Sequence, residues 1–278
     1  MSDPTMGDYE VAEAVAPTWA QRAPMIEQVC TPVREWMVRE LRPDEGDTVL
    51  ELAAGVGDTG FDVAELLGEG GGLIASDFSP TMLEAARRRG AERGVENVEY
   101  RVIDAARIEL PDDSVDGVLC RFGYMLMPEL TLALAETRRV LRQGGRVALA
   151  VWGAPERNPF FALVGAKLVE RGHMPPPEPP PAPGIFAMAS PERTRELLTA
   201  ASFDDVRTEE VALRFPIPSV EEYVAFVADT AGPLALVLRQ LPAAERAALQ
   251  AELEEWFEPF SADDGFELPG VTLCAVAS

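Results

Sequence analysis

Residues 48 to 60, TVLELAAGVGDTG, constrain the fold of this chain more than any other stretch. TVLEL reads as a buried strand, AAGVG as a tight turn, and the residues after it as the start of a helix. Gly55, Gly57 and Gly60 fit the G-x-G-x-x-G spacing that lets backbone approach a ligand at a helix N-terminus. A second apolar run, GLIASD, ends on Asp77 about 20 residues later, where this arrangement calls for an acid to hold ribose hydroxyls. Strand, glycine turn, helix, strand and acid in that order belong to a doubly wound parallel sheet. The ligand crevice of such a sheet opens beyond the carboxyl ends of its strands.

The glycine spacing alone suits NAD, but the neighbouring charges argue against it. Asp58 falls where the helix N-terminus would meet a pyrophosphate, and a carboxylate there opposes the anion that the helix dipole attracts. Glu51 closes the first strand four residues before Gly55, a placement that suits a ligand with a positive amino group. S-adenosyl-L-methionine (SAM) carries an ammonium, a sulfonium, a ribose and an adenine, and has no phosphate. The charge pattern therefore prefers SAM.

After a helical region over residues 1–40, strands are expected near 48–53, 72–77, 98–103, 115–121 and 146–152, alternating with helices as in a parallel sheet. Ser79 is placed as N-cap and Pro80 as first residue of the helix after the second strand. Gly144 and Gly145 are expected to stop the helix before strand five. Glu51, Asp77, Asp104 and Cys120 all fall at strand ends, so four separate loops can converge on one cofactor.

Taken together, these motifs over residues 48–153 resemble the class I SAM-dependent methyltransferases, in the broad group that includes ubiquinone and menaquinone biosynthesis methyltransferases. The family's first motif, a hydrophobic strand ending in an acid and followed by G-x-G-x-G, matches at Glu51, Gly55 and Gly57, with Ala53 in place of its first glycine. The second acid falls on Asp77 in ASDFSPTMLEAARRR and the third on Asp104 in VEYRVIDAARIELPDDSVDGVLC. CRFGYMLMPEL follows strand four, and RRVLRQGGRVALAVWG supplies a helix, a double-glycine turn and strand five.

The resemblance implies a Rossmann-like α/β fold with a seven-stranded, mostly parallel sheet, helices on both faces, a helical cap and an antiparallel last strand. It also implies SAM as cofactor, held by Glu51, Ala53, Gly55, Gly57, Asp77, Phe78, Met82, Asp104, Ala105 and Cys120. The methyl group would pass to a small, apolar or aromatic molecule. Residues 1–40 are expected to form an N-terminal lid on a domain of residues 41–278, in which 41–154 is the SAM-binding core and 155–278 the cap and C-terminal strands. Two other readings stay open: an NAD(P)-dependent oxidoreductase, and a SAM-binding protein without catalysis.

Catalytic residues are not assigned by these motifs. Arg121 and Tyr124, just past strand four, are candidates for contact with the acceptor, and His173, the only histidine, for a general base. With widely spaced Cys30, Cys120 and Cys274 and no C-x-x-C, neither a disulfide framework nor a metal site is expected. Hydrolase chemistry lacks a G-x-S-x-G elbow.

A net charge of −23 disfavours nucleic acid and anionic membranes as partners, since both need basic surface. With no apolar run of about 18 residues and no basic n-region, membrane insertion and secretion are not expected, and a cytoplasmic protein is. Lys167 is the only lysine among 24 basic residues, a composition that suggests a GC-rich bacterial genome. In the second half, MPPPEPPPAPG at 174–184 reads as a stiff extended spacer. Helices are expected to start at Ser190 and at the capping box Ser219-Val-Glu-Glu222, and strand six between Phe203 and Phe215. The segment 243–260 places Leu249, Leu253, Trp256, Phe257 and Phe260 on one core-facing side. Residues from Tyr9 to Trp36 and from 219 to 260 are expected to act as a lid, and VTLCAVAS is expected to be strand seven.

Overall fold

In the computed structural model, residues 6–180, 182–231 and 233–278 are described, with only the backbone of residues 6–15 and of Pro233. The first residues of the expected lid, the side chain of Tyr9 and Pro181 of the proline run lie outside the described residues.

Helix α1 (Met6–Leu41) leads into β1 (Thr48–Glu51), α2 (Asp58–Leu67), β2 (Gly72–Asp77), α3 (Pro80–Arg93), β3 (Val98–Val102) and β4 (Val115–Arg121). Then come α4 (Leu130–Val140), β5 (Leu141–Trp152), α5 (Pro159–Glu170), α6 (Pro191–Ala200) and β6 (Arg207–Ile217). Helices α7 (Val220–Thr230), α8 (Pro233–Gln240) and α9 (Ala243–Phe257) precede a terminal hairpin, β7 (Ser261–Ala262) and β8 (Gly265–Ala277).

The strands form one sheet in the order β3-β2-β1-β4-β5-β8-β6, with β7 paired to β8. Strands β1 to β5 run parallel, and β8 lies antiparallel to β5 from Val147↔Ala277 to Trp152↔Thr272. Strand order reverses beside β1, whose neighbours are β2 and β4, and a ligand crevice belongs at that switch point. The central strands are apolar on both faces because helices cover both: Val49, Leu50, Leu73, Ala75, Val118, Leu119 and Val147 to Val151 are all buried.

Local signals place the helices. Ser79 Oγ accepts from Met82 N at 3.1 Å and Ser190 Oγ from Arg193 N at 3.1 Å, so both expected N-caps form, each followed by proline at the first helical position. The capping box at Ser219 is half made. Its hydroxyl accepts from Glu222 N at 3.1 Å, but the Glu222 carboxylate pairs with Arg22.

Four expectations are corrected. Gly144 and Gly145 do not stop a helix: α4 ends at Val140, and the glycines lie within β5, in an irregular stretch between its pairings Val115↔Leu141 and Gly117↔Arg146. There a Cβ on Gly145 would sit 2.6 Å from the Asp116 carbonyl oxygen, so close approach of two strands explains the glycine. Strand six begins at Arg207, because Phe203 is buried in the turn after α6, with its N–H on the Leu198 carbonyl. The sheet gains an eighth strand, the two-residue β7. On α9, Leu249, Leu253 and Phe257 are buried at spacing i, i+4, i+8, while Trp256, one residue off that stripe, is exposed.

The chain forms two compact units. One comprises residues 30–153, 179–211 and 272–278: the parallel sheet, its helices and α1 from Cys30 onward. Val33, Trp36, Met37 and Leu41 are buried in it, and Trp36 Nε1 donates to Glu209 at 2.9 Å. The other comprises residues 1–29, 154–178 and 212–271. Its core is an aromatic cluster in which Phe160 stacks on Phe215 (4.2 Å between centroids) and meets Tyr223 and Phe226 edge-on. Thr18 and Arg22 tie α1 to Asp229 on α7, and fully buried Asn158 bonds both backbone groups of Val271 at 2.9 Å.

Candidate active site

All residues implicated by the glycine turn and the strand ends lie in the sheet unit, on the carboxyl ends of β1, β2, β3 and β4. The turn after β1 adopts left-handed backbone three times in five residues: Ala53 (φ +52°), Gly55 (φ +55°) and Gly57 (φ +91°). The two glycines differ in what they face. A Cβ on Gly57 would stand 2.4 Å from the Phe61 ring, whereas one on Gly55 would meet nothing within 4 Å. Gly57 is therefore glycine for packing beneath the turn, and Gly55 presents bare backbone to open space, as a cofactor cradle requires.

Ala53, standing where the resemblance has glycine, pays the strain of a left-handed alanine, about 1–2 kcal/mol. Ala53→Gly is expected to raise stability by up to about 1 kcal/mol, because strain relief exceeds the added unfolded-state entropy of glycine. A lower thermal midpoint for this variant would show that the Ala53 methyl, packed against Gly123, matters more than the strain.

The two acids of the first motifs do different work. Glu51 is buried, and its Oε1 accepts from Gly60 N at 3.0 Å, fastening the first turn of α2 to the end of β1. Asp77, also buried, accepts from Gly55 N at Oδ2 and from Ser79 N at Oδ1, both at 2.9 Å. One carboxylate thus joins the turn after β1 to the turn after β2. This set fits SAM: a carboxylate beside an open glycine turn suits the ribose and the methionine chain.

Asp58 corrects one step of the charge argument. It is buried at the start of α2 and ion-paired with Arg89 of α3. Its charge is compensated within the fold, so it opposes a phosphate less than the sequence suggests.

The remaining expected contacts spread around the same edge. Phe78 is exposed directly after Asp77, and Met82 is half-buried in the first turn of α3. Asp104 is exposed and caps its own turn through Ala106 N at 2.9 Å, with Ala105 half-buried beside it. Cys120 is completely buried, and burial first, with Glu51 and Asp77 adding to it, pushes its thiol up to about 12. It is a neutral packing residue under the turn after β4.

Of the acceptor candidates, Arg121 ends β4 on this edge, half-buried, with its guanidinium over the Phe122 ring. Tyr124 is corrected to a core residue. It is completely buried, its hydroxyl is 2.6 Å from Thr137 Oγ1, and burial raises its pKa well above the ordinary value. His173 follows α5 in the helical unit, 3.4 Å from Glu245, in a network where Arg171 bridges Glu245 and Glu252. Sequence reasoning missed Phe122. It holds φ +61°, stacks on Trp152 at 4.0 Å, and marks the carboxyl ends of β4 and β5. The only local signal is the aromatic directly before Gly123.

Residues 29–161 match the ubiE/COQ5 methyltransferase family. A demethylmenaquinone methyltransferase of Deinococcus radiodurans is 31% identical over 184 residues, covering 61% of this chain and 71% of that protein. A second, from Clavibacter sepedonicus, is 39% identical over 117 residues, covering 42% and 46%. The chain spans less than half the length of the first curated relatives it matches. In fold it is similar to a SAM-dependent methyltransferase of Aquifex aeolicus, at a TM-score of 0.52 and 21% identity, covering 71% of this chain and 92% of the other.

Proposed function

This chain belongs to the ubiE/COQ5 methyltransferase family, and from that premise we propose that it transfers the methyl group of SAM to a small, apolar or aromatic acceptor. The observation that carries the reading is the Asp77 carboxylate, shared between Gly55 and Ser79 beside the open face of the glycine turn. SAM, as cofactor, supplies a methyl group already activated on a sulfonium. Preference for SAM over a dinucleotide rests on the family, since Asp77 suits the ribose of either ligand and Asp58 is compensated by Arg89.

The chain's own contribution is positioning. Asp77 orients the ribose hydroxyls, and Glu51, through Gly60, keeps the turn fixed while the ligand lies on it. Alignment of donor and acceptor at about 3–3.5 Å supplies most of the acceleration of such a transfer. A general base is needed only for a neutral hydroxyl or similar acceptor. His173 already faces Glu245 and Arg171 in the helical unit, so His173→Ala is expected to change kcat less than about tenfold; loss of a true general base costs about 10²–10⁴. A thousandfold loss with SAM affinity unchanged would make His173 the base.

The reading is tested with methyl-labelled SAM, offered together with demethylmenaquinol, the acceptor class suggested by the relatives' names, and with a bacterial metabolite extract. Label should move to an acceptor with equimolar S-adenosylhomocysteine formed. Calorimetry should give SAM and S-adenosylhomocysteine dissociation constants in the micromolar range, about −8 kcal/mol. Tight NAD binding without SAM binding would replace the proposal with the oxidoreductase reading, and SAM binding without transfer to any acceptor with the non-catalytic one.

A further inference from the structure

A cavity of about 590 Å³ opens at the amino end of β5, and Arg42, Arg146 and Arg207 all line it, together with Asp205 and the end of β8 at Ser278. Every lining residue belongs to the sheet unit. Because β5 runs parallel to β4 and β8 pairs antiparallel with β5, this is the edge of the sheet opposite the carboxyl ends that carry the glycine turn. Three arginines on one cavity reverse the local charge of a chain in which 47 acidic residues face 24 lysines and arginines.

Elsewhere in this unit Arg89, Arg93 and Arg139 are held by carboxylates. Of the three at the cavity only Arg207 is, pairing with Glu40 at 2.7 Å. Arg146 donates to the Glu40 backbone carbonyl at 3.2 Å, and among the described residues no carboxylate pairs with it. The Arg42 guanidinium has no hydrogen bond or ion pair among the described residues. Asp205 is the one acidic side chain of the lining, and none of the three arginines is ion-paired with it or with the carboxyl group of Ser278. The backbone adds a second observation. Arg42 directly follows α1 at φ +54°, its N–H on the Val38 carbonyl at 3.2 Å, a position where helices ordinarily take glycine and an arginine is strained. Strain kept at a non-glycine residue gathers where the side chain has work to do. A cation here also balances the dipole of α1, but Arg39 already stands in the last turn, and the dipole gives no reason for Arg146 on β5.

We propose that this cavity is a second ligand site, binding the phosphoryl group of a small phosphorylated molecule through Arg42 and Arg146, with Arg207 beside them. Guanidinium forks match phosphate oxygens two at a time, and a phosphoryl group offers enough oxygens for more than one fork. The cavity lies within the range of roughly 300–1,000 Å³ typical of small-molecule sites, so it has room for the body of a phosphate ester as well as its phosphate. A net charge of −23 repels extended polyanions, which leaves small ligands that touch only this patch. The site is separate from the glycine turn and stands independently of the methyl-transfer reading.

The test titrates the full chain by calorimetry with pyrophosphate and, separately, with glucose 6-phosphate, neither of which carries the adenine that could lead it to the glycine turn. Acetate at matched ionic strength is the control. At least one phosphate compound should bind with a dissociation constant below about 1 mM and raise the thermal midpoint, the tighter of the two naming the source of the phosphoryl group, while acetate does neither. Arg42→Gly separates binding from structure: glycine takes the left-handed backbone without strain, so the unliganded midpoint should hold or rise while affinity falls at least about tenfold. Arg146→Gln should cause a similar loss, as an independent probe on another element. Arg214→Gln removes the same charge from the other unit, where Arg214 pairs with Glu267, and should leave affinity within about twofold. Absence of phosphate binding to folded wild type, or an equal loss of affinity in Arg214→Gln and Arg42→Gly, would overturn the site. Unchanged affinity in Arg42→Gly with a lowered midpoint would make Arg42 a helix cap instead.

Discussion

Asp77→Ala is expected to weaken SAM binding by about 1–3 kcal/mol, roughly 5- to 150-fold, and to lower stability at the same time. Two separate losses combine. The ligand's hydroxyls lose a charged acceptor, and the backbone N–H groups of Gly55 and Ser79, 22 and 2 residues away in the chain, lose the carboxylate that holds both turns in place. Asp77→Asn separates the two contributions. Its amide oxygen can still accept from one turn but not from both, and it carries no charge, so its affinity should fall between wild type and alanine. Titration calorimetry for binding and chemical denaturation for stability give both readings on one preparation. Equal SAM affinity in wild type and Asp77→Ala would reduce Asp77 to a clip between two loops.

Strand β2 was legible to the residue, and so was β4, because each is a mainly apolar run closed by a charged residue at a turn. β5 was not. Gly-Gly after a helical stretch is a helix stop by local rules, yet here the pair serves an irregular strand whose partner backbone, Asp116, lies only 2.6 Å from where a Cβ would be. Side-chain roles followed the same division. The position of Asp77 came from spacing, but its bond to Gly55 depends on two turns meeting in space. Asp58 looked like a free charge until α3 brought Arg89 to it. Tyr124 sat at a strand end and still turned inward, since the hydroxyl it needed when buried was offered by Thr137 on α4.

The positive-φ residues show the limit most clearly. Ala53 was recognisable as a departure because a motif supplies the expected glycine, whereas Phe122 has no such template. Its conformation is set by the Ala150 carbonyl and the Trp152 ring, both about 30 residues downstream and invisible to a local reading.

Gly60→Ala is expected to have the larger effect on the fold, and with a sign opposite to helix propensity. Gly60 lies in the first turn of α2, where alanine normally gains about 1 kcal/mol over glycine. Here a Cβ would stand 2.2 Å from Glu51 Oε2 and 2.7 Å from Leu73 Cδ2, the ends of two buried side chains that must shift to admit it. Overpacking of this kind costs about 1–3 kcal/mol. Displacing the Glu51 carboxylate from the Gly60 N–H forfeits a charge-assisted bond of about 1.5–3 kcal/mol, so the net loss should be on the order of 2–4 kcal/mol. Because Glu51 anchors the glycine turn proposed to carry the cofactor, SAM affinity should fall with stability. Glu51→Gln combined with Gly60→Ala distinguishes the causes: if the steric contact dominates, the amide does not rescue, since it fills the same space. A Gly60→Ala protein as stable as wild type, by denaturant titration, would mean that α2 shifts away from β1 without penalty and that Glu51 does not fasten it.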